Sequence, residues 1–277
     1  LNSKERVLKL LEQTDGKFLS GEFIAGTLGI SRTSVWKAIR VLRDEGEEIE
    51  AVTNRGYRLA DSPGVLSERR LREALDETDD RILFLQKTDS TNREAKVLAM
   101  QGAADGTVLV ARQQSEGAGH GRHRFWSPEG GIYLSVIRRE ELDAFTDSRD
   151  ITRFGACAAC QAIQDVCGIF CRIRPVNDLY CGSKKIGGIL TETMGDAETG
   201  NISWAVIGVG ISFCIPRDSF PDELQKRCTS LYPDGKAKSS INLLASGLIR
   251  ELRKMPPDSD RLKEAYGQRI LKKDGSV

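Results

Sequence analysis

The sequence predicts an α+β protein in two parts: a small N-terminal unit of three short helices and a hairpin, then a larger unit of strands and helices. Three observations carry that prediction. Apolar residues ahead of residue 45 recur at helical spacing, whereas residues 49–59 alternate as a strand pair does. Further on, β-type runs at residues 174–190 and 208–211 accompany a long helical stretch at 151–167. The chain has 277 residues, 39% of them hydrophobic, enough to bury two cores.

In residues 3–11, Val7, Leu8, Leu10 and Leu11 follow a helical period that Asp15-Gly16 stops. A second helix is expected over residues 21–28, closed by Gly29. Ser31 can cap a third over residues 32–43, where Val35, Ile39 and Leu42 repeat at i, i+4 and i+7 before Gly46. Residues 49–59 turn around Thr53-Asn54-Arg55-Gly56 as a hairpin wing. Together these make a winged helix-turn-helix, a DNA-binding unit whose third helix enters the major groove by its N-terminal part. Arg32, Thr33, Ser34, Lys37 and Arg40 project from that helix, and Arg55 and Arg58 extend the basic surface onto the wing. Arginine matches a guanine edge with two hydrogen bonds, whereas lysine meets phosphate as a point charge. A solvated basic helix face is the plainer alternative, and Glu45, Glu47, Glu48 and Glu50 would repel phosphate unless they point away.

Asp61-Ser62-Pro63-Gly64 reads as a linker, which places a first domain at residues 1–62 and a second at 63–270, opening with a helix over 66–75. Residues 92–100 read as helix, as do 239–254 and 260–270 around Pro256-Pro257. Cys157, Cys160 and Cys167 fall on one helix face; with Cys171 they look like a ligand set, but the spacing favours core packing over zinc, and no protein-held metal is expected. Seven cysteines fit reduced thiols better than a disulfide framework. No apolar run could span a membrane and no charged-then-apolar leader is present, so a cytoplasmic protein without a membrane partner is expected. With a net charge of +1, any basic footprint must be local.

The densest chemistry lies in residues 174–190. An apolar run around Tyr180 meets a Cys181-Gly182-Ser183 turn, and the returning strand carries Lys184, Lys185 and the Gly187-Gly188 pair. Glycines inside a strand mark the close approach of a ligand or another backbone, and lysines beside such a gap point to an anion. Taken alone, the same residues also describe a surface hairpin with a solvated lysine pair.

Five stretches in order resemble the motifs of the biotin–protein ligase family: Asp89-Ser90-Thr91-Asn92; a loop from Gln114 to Ser127-Pro128; Arg174-Pro175-Val176-Asn177-Asp178; the run from Lys185 through Gly188-Ile189-Leu190 to Glu192; and Gly208-Val209-Gly210-Ile211. The resemblance covers nearly the whole chain. Its N-terminal part is similar to the DNA-binding domain of the bifunctional members, which repress the genes of biotin synthesis. The resemblance implies a class II synthetase-like catalytic domain, a mixed β-sheet packed with helices. It also implies two-step chemistry: biotin attacks the α-phosphate of ATP to give biotinyl-5'-AMP, which acylates a lysine of a carboxylase's biotin carboxyl carrier domain. ATP with Mg²⁺ and biotin are then substrates, biotin also being the corepressor precursor, with operator DNA and a homodimer partner. Such a reaction needs no protein nucleophile; the site holds two anions in line and neutralises developing charge.

By this resemblance Ser90, Thr91 and Gln114 would hydrogen-bond biotin's ureido ring, and Gly117, Ala118 and His120 would face it from the loop. Gly188 and Gly208 would let the ligand approach the backbone. Lys185 matches the lysine that reaches the carboxylate and acyl-phosphate oxygens, with Arg174 as the second catalytic cation. Gly119, Arg122, His123, Arg174, Asn177 and Ser212 are expected on the ATP and adenylate side. Ser90 also suits a helix N-cap, a role that can coexist, and Asn177-Asp178 also suits a turn or strand end.

The chain departs from the family in its loop. Where the family reads GRGRxGR, residues 117–123 read GAGHGRH, so Ala118, His120 and His123 replace arginines and Arg122 a glycine. A gapped alignment would instead match Gly119-His120-Gly121-Arg122 to GRGR. Arginine grips phosphate with a planar fork and a permanent charge, whereas histidine offers fewer donors, so weaker retention of the adenylate is expected. Arg174 replaces a lysine and Ser212 an asparagine. Residues 271–277 are expected to begin an SH3-like C-terminal domain that is truncated or absent. Three functions follow in order: a biotin-[acetyl-CoA-carboxylase] ligase that is also a repressor; a ligase-impaired biotin-sensing regulator, favoured by Ala118, His120 and Ser212; and a ligase for another carboxylate such as lipoate.

Overall fold

The computed structural model describes residues 2–14, 17–60, 63–75, 81–121, 123–145, 147–195, 201–254 and 258–271. Asp15-Gly16, Asp61-Ser62, Arg122, Pro256-Pro257 and residues 272–277, each invoked above, lie outside the described residues.

The first unit comprises α1 (Ser3–Glu12), α2 (Gly21–Leu28), α3 (Arg32–Asp44), β1 (Ile49–Val52) and β2 (Gly56–Leu59). Its helices are bounded by local chemistry. Asn2 and Glu5 form a reciprocal capping box on α1. The Ser20 hydroxyl accepts the Phe23 N–H at 3.0 Å, Gly29 closes α2 in the left-handed region, and Ser31 accepts the Ser34 N–H at 3.0 Å. Val7, Leu11, Ile24, Val35, Ile39, Leu42 and Ile49 bury together as one core. Leu19 joins the wing by exchanging two 2.8 Å backbone hydrogen bonds with Tyr57. Gly56 makes that possible: its φ is 95°, and a Cβ there would stand 2.0 Å from the Leu19 oxygen.

The second unit contains α4 (Glu68–Leu75), β3 (Ile82–Thr88), α5 (Thr91–Met100), β4 (Val108–Gln114), β5 (Gly131–Arg138), α6 (Ser148–Cys167), β6 (Arg172–Arg174), β7 (Asp178–Cys181), β8 (Lys184–Gly195), β9 (Ile202–Ser212), α7 (Asp222–Gln225), α8 (Ile241–Arg253) and α9 (Ser259–Arg269). Seven strands form one sheet in the order β3-β4-β5-β9-β8-β7-β6. Strands β3 and β4 are parallel, joined through α5, and every other pair is antiparallel. Strand alternation divides the apolar residues between two faces. Val108, Val110, Leu134, Ile207 and Val209 meet α6 and α8 in the main core, while Leu109, Ile137 and Val206 meet Ala95 and Ala99 of α5.

Two helices begin where periodicity did not place them. Helix α6 starts three residues earlier than its apolar pattern because Asp147 accepts the N–H groups of Arg149 and Asp150. Helix α4 starts two residues later, because the Ser67 N–H is taken by Asn242 Oδ1 at 2.9 Å. Cys160 and Cys171 lie fully buried in the main core. Burial pushes the Cys157 thiol up to about 11 and that of Cys160 to about 12.

The units meet at Glu47, which is 5% exposed. Its carboxylate accepts hydrogen bonds from the Ser67 hydroxyl at 3.0 Å and from Arg69 Nε at 3.2 Å. Among the described residues, no helix is long and apolar enough to cross a membrane.

Candidate active site and nucleic-acid interface

A cavity of about 240 Å³ lies between the N-terminus of α5, the end of β4, the loop at residues 117–125 and the β7–β8 hairpin. Ser90, Thr91 and Asn92 reach it because β3 delivers the chain into α5 there. Ser90 is the N-cap of α5, and all three side chains are buried. The Thr91 N–H donates to Gln114 Oε1 at 2.8 Å, with Thr91 Oγ1 3.2 Å from the same oxygen. Gln114 Nε2 donates to Ser127 Oγ at 2.8 Å, so both ends of the amide are engaged. This end of the cavity is neutral and rich in fixed donors and acceptors.

The opposite end is charged. Lys185 Nζ lies 2.5 Å from Asp178 Oδ1, each side chain about one-quarter exposed, and Asn177 lines the cavity beside them. Asn177 is held by its own amide, which donates to the Ile189 oxygen at 3.0 Å. Between the ends, Ala118, Gly119, His120 and His123 come from the loop. The loop folds as a small hairpin: the Gly119 N–H donates to the His123 oxygen at 2.9 Å and the Phe125 N–H to the Gly117 oxygen at 2.7 Å.

Gly188 and Gly208 also line the cavity, on adjacent strands. A Cβ on Gly188 would make only ordinary contacts, the nearest at 3.4 Å. Gly208 has a second neighbour besides the cavity, since its missing Cβ makes room for the Asn92 side chain.

Among the described residues, three expected ones lie outside the lining. The Arg174 guanidinium stacks 4.2 Å from the Tyr180 ring centroid, drawn there by a cation–π contact across the β6–β7 pair. Gly117 is buried behind the loop, where a Cβ would strike the Phe125 oxygen and the Ser127 hydroxyl. Ser212 ends β9 opposite Gly131, and its oxygen accepts the Leu231 N–H at 3.0 Å.

Several further residues lie in or around the cavity. Asp178, which the sequence offers both as a motif residue and as strand-end chemistry, meets Lys185 diagonally across the β7–β8 pair, where its own register partner is Gly188 and that of Lys185 is Tyr180. Asn92 lines the cavity, as does Arg124, whose side chain is exposed 3.8 Å from Glu116. Phe125 packs against Gly210, whose absent Cβ would otherwise stand 2.6 Å from the ring. Only the aromatic run Phe125-Trp126 before Ser127-Pro128 could have signalled this.

On the first unit, Arg32, Thr33, Lys37 and Arg40 are exposed along α3. Ser34 is half-buried, with its hydroxyl 2.9 Å from that of Ser31, so it belongs to the helix cap. Trp36 is 52% exposed and carries the Arg40 guanidinium 5.7 Å from its ring centroid. It lies one turn from both Arg32 and Arg40, the spacing that could have marked it as part of the same face. The Arg55 and Arg58 guanidiniums both stand over Phe18, at 4.2 and 4.8 Å. The acidic cluster is largely compensated: Glu45 pairs with Lys4, Glu47 with Arg69 and Glu50 with Arg58.

A winged helix-turn-helix with a cationic recognition face, joined to a mixed sheet whose cavity has a neutral polar end and a lysine end, defines a DNA-binding unit fused to a small-ligand domain. Residues 4–58 match the HTH domain family model and residues 84–212 the Biotin/lipoate A/B protein ligase family. The chain is 38% identical over 231 residues to the bifunctional ligase/repressor BirA of Bacillus spizizenii, covering 82% of this chain and 70% of that protein. It is 30% identical over 241 residues to the bifunctional ligase/repressor BirA of Escherichia coli, covering 86% and 72%. A solved biotin protein ligase from Aquifex aeolicus, in complex with biotin and ATP, superposes with a TM-score of 0.56 at 25% identity, covering 70% of this chain and 79% of that one. The chain belongs to the biotin–protein ligase family, with the domain organisation of its bifunctional ligase/repressors.

Proposed function

We propose that this chain activates biotin with ATP and Mg²⁺ to biotinyl-5'-AMP, transfers the biotinyl group to a lysine of a biotin carboxyl carrier domain, and represses biotin genes by binding operator DNA. One observation carries the reading: a single cavity places Thr91 and Gln114 at one end and Lys185 at the other. These are the groups that a neutral ureido ring and a carboxylate require. Lys185 neutralises the carboxylate and the charge developing on the acyl phosphate, and Asp178 holds its ammonium in position. Ala118, Gly119, His120 and His123 cover the ligand, with Asn177 toward the nucleotide. Arg174, exposed and paired across the strands with Asp178, faces the phosphates from outside the lining. Mg²⁺ arrives with ATP and screens its phosphates.

Separate hydrophobic cores support a division into residues 1–62 and 63–270. A homodimer is supported by the outer edge of β3, which among the described residues pairs only with β4 in the sheet. Free thiols, with Cys160 and Cys171 buried among them, suit a cytoplasmic protein.

The presence of Ala118 and His120 in the lining, where the family loop has arginines, favours a second reading as a ligase-impaired biotin sensor. Incubation with biotin and radiolabelled ATP, followed by a carrier domain, tests both. Labelled adenylate and a biotinylated carrier are expected. Biotin binding without either product would leave the sensor, and turnover of lipoate in place of biotin would reassign the acid.

A further inference from the structure

We propose that Asn92, Ser135 and Glu192 are positioning residues that hold the Thr91 hydroxyl as a hydrogen-bond acceptor toward the ligand, and so select a ring presenting an N–H at that point. The inference rests on the ligase reading, in which Thr91 meets the ureido ring.

The contacts run inward from the surface. The Glu192 carboxylate on β8 accepts from Lys96 Nζ of α5 at 3.1 Å and from Asn92 Nδ2 at 3.3 Å. Asn92 Nδ2 also lies 3.2 Å from the Leu190 oxygen. Two acceptors on one side fix the orientation of the amide, because a flip would set Oδ1 against two oxygens. Asn92 Oδ1 therefore faces Ser135 Oγ at 2.7 Å, over the space left by Gly208.

Ser135 is 0% exposed and has one proton to give. Ser135 Oγ stands as the donor to both Asn92 Oδ1 and the Thr91 Oγ1 2.9 Å away, so one proton is shared between two acceptors. The Thr91 hydroxyl in turn donates to Gln114 Oε1 at 3.2 Å. The Thr91 proton is thus directed into the protein, leaving a lone pair toward the cavity to accept a ligand N–H. Neither Ser135 nor Glu192 lines the cavity; both act through Asn92 and Thr91.

The test is a double-mutant cycle on the full chain, with biotin Kd from calorimetry and with KM and kcat at saturating ATP. Ser135→Ala is expected to weaken biotin binding about tenfold, in the range of one lost hydrogen bond, with kcat and the KM for ATP within about twofold of wild type. Glu192→Ala weakens it about threefold, and the double variant is no weaker than Ser135→Ala, because Glu192 acts through the same contacts. The wild-type preference for biotin over an analogue methylated on a ureido nitrogen narrows in Ser135→Ala. If Ser135→Ala is unfolded by circular dichroism, Ser135→Cys keeps the volume, weakens the hydrogen bonds and gives the same readout. Losses that multiply in the double variant, or a fall confined to kcat, overturn the proposal. Wild-type binding of biotin beside variants of equal affinity sinks this inference alone; failure of the wild-type chain to bind biotin sinks the ligase reading with it.

Discussion

A Cβ on Gly208 would stand 1.9 Å from Asn92 Oδ1 and 2.7 Å from its Cγ, so β9 meets α5 here as bare backbone against a side-chain amide. Gly208→Ala has to displace Asn92 from a buried position with hydrogen bonds on both sides. We expect a loss of about 1–3 kcal/mol in stability, measured by urea unfolding. Biotin affinity should fall with it, by about tenfold or more as Asn92 loses its hydrogen bonds. If both stay at wild-type values, Asn92 is not anchored as described.

Lys185 is the cation that lines the charged end beside Asp178. Lys185→Gln should reduce adenylate formation by roughly 10²–10³, the usual cost of removing a preorganised charge from a developing anion. Rapid-quench assay of labelled biotinyl-5'-AMP reads this directly, and a rate within a few-fold of wild type would remove Lys185 from the reaction.

His120 lies in the loop wall of the cavity. His120→Arg adds a planar, permanently charged donor set, worth about 1.5–3 kcal/mol where it meets a phosphate. Release of the adenylate, followed by its capture with free hydroxylamine, should slow about tenfold or more. Release at an unchanged rate would mean that residue 120 does not touch the nucleotide.

On the recognition helix, Lys37→Ala should weaken binding to all DNA sequences alike and reduce the slope of affinity against salt by about one. Trp36→Ala should instead reduce operator binding more than nonspecific binding, since an exposed ring contributes shape and apolar contact with base edges. Mobility-shift titrations at two salt concentrations separate the two. Binding unaffected by both Arg32→Ala and Lys37→Ala would mean that α3 is not the reading helix.

The buried thiols set an alkaline limit. With folded values of about 11 for Cys157 and about 12 for Cys160, against 9.0 for an exposed thiol, the unfolded chain loses these protons first as pH rises. Their contribution to stability is whole below about pH 9 and is lost as pH climbs through the folded values, by about 1.4 kcal/mol per pH unit for each thiol. Cys160→Ala should flatten that decline in urea melts between pH 9 and 11; an equally steep decline would assign it to other groups.

The first unit could be read almost residue by residue because its signals are local. Gly29 and Ser31 bound their helices through contacts with immediate neighbours. The β7–β8 hairpin was legible for the same reason, its turn residues fixing which strand carries Lys185. Charge and motif position mark Arg174 for the site, but the Tyr180 ring across a strand pair draws its guanidinium out of the lining. Ser135 carried no signal at all. One serine in the apolar run of β5 looks like a tolerated small residue, and its partner Asn92 is 43 positions away. Buried polar contacts of that kind have neither period nor composition, so only the folded chain brings them together.

Because the Glu47 carboxylate is the acceptor for both Ser67 and Arg69, the N-terminal unit is no detachable attachment. Cutting the chain between the two would take away the acceptor of the buried Ser67 hydroxyl and one of the carboxylates that Arg69 meets, the other being Glu73. A shortened enzyme is therefore a protein with a newly made polar scar at the mouth of α4, and its behaviour should be compared with the intact chain only after that scar has been repaired.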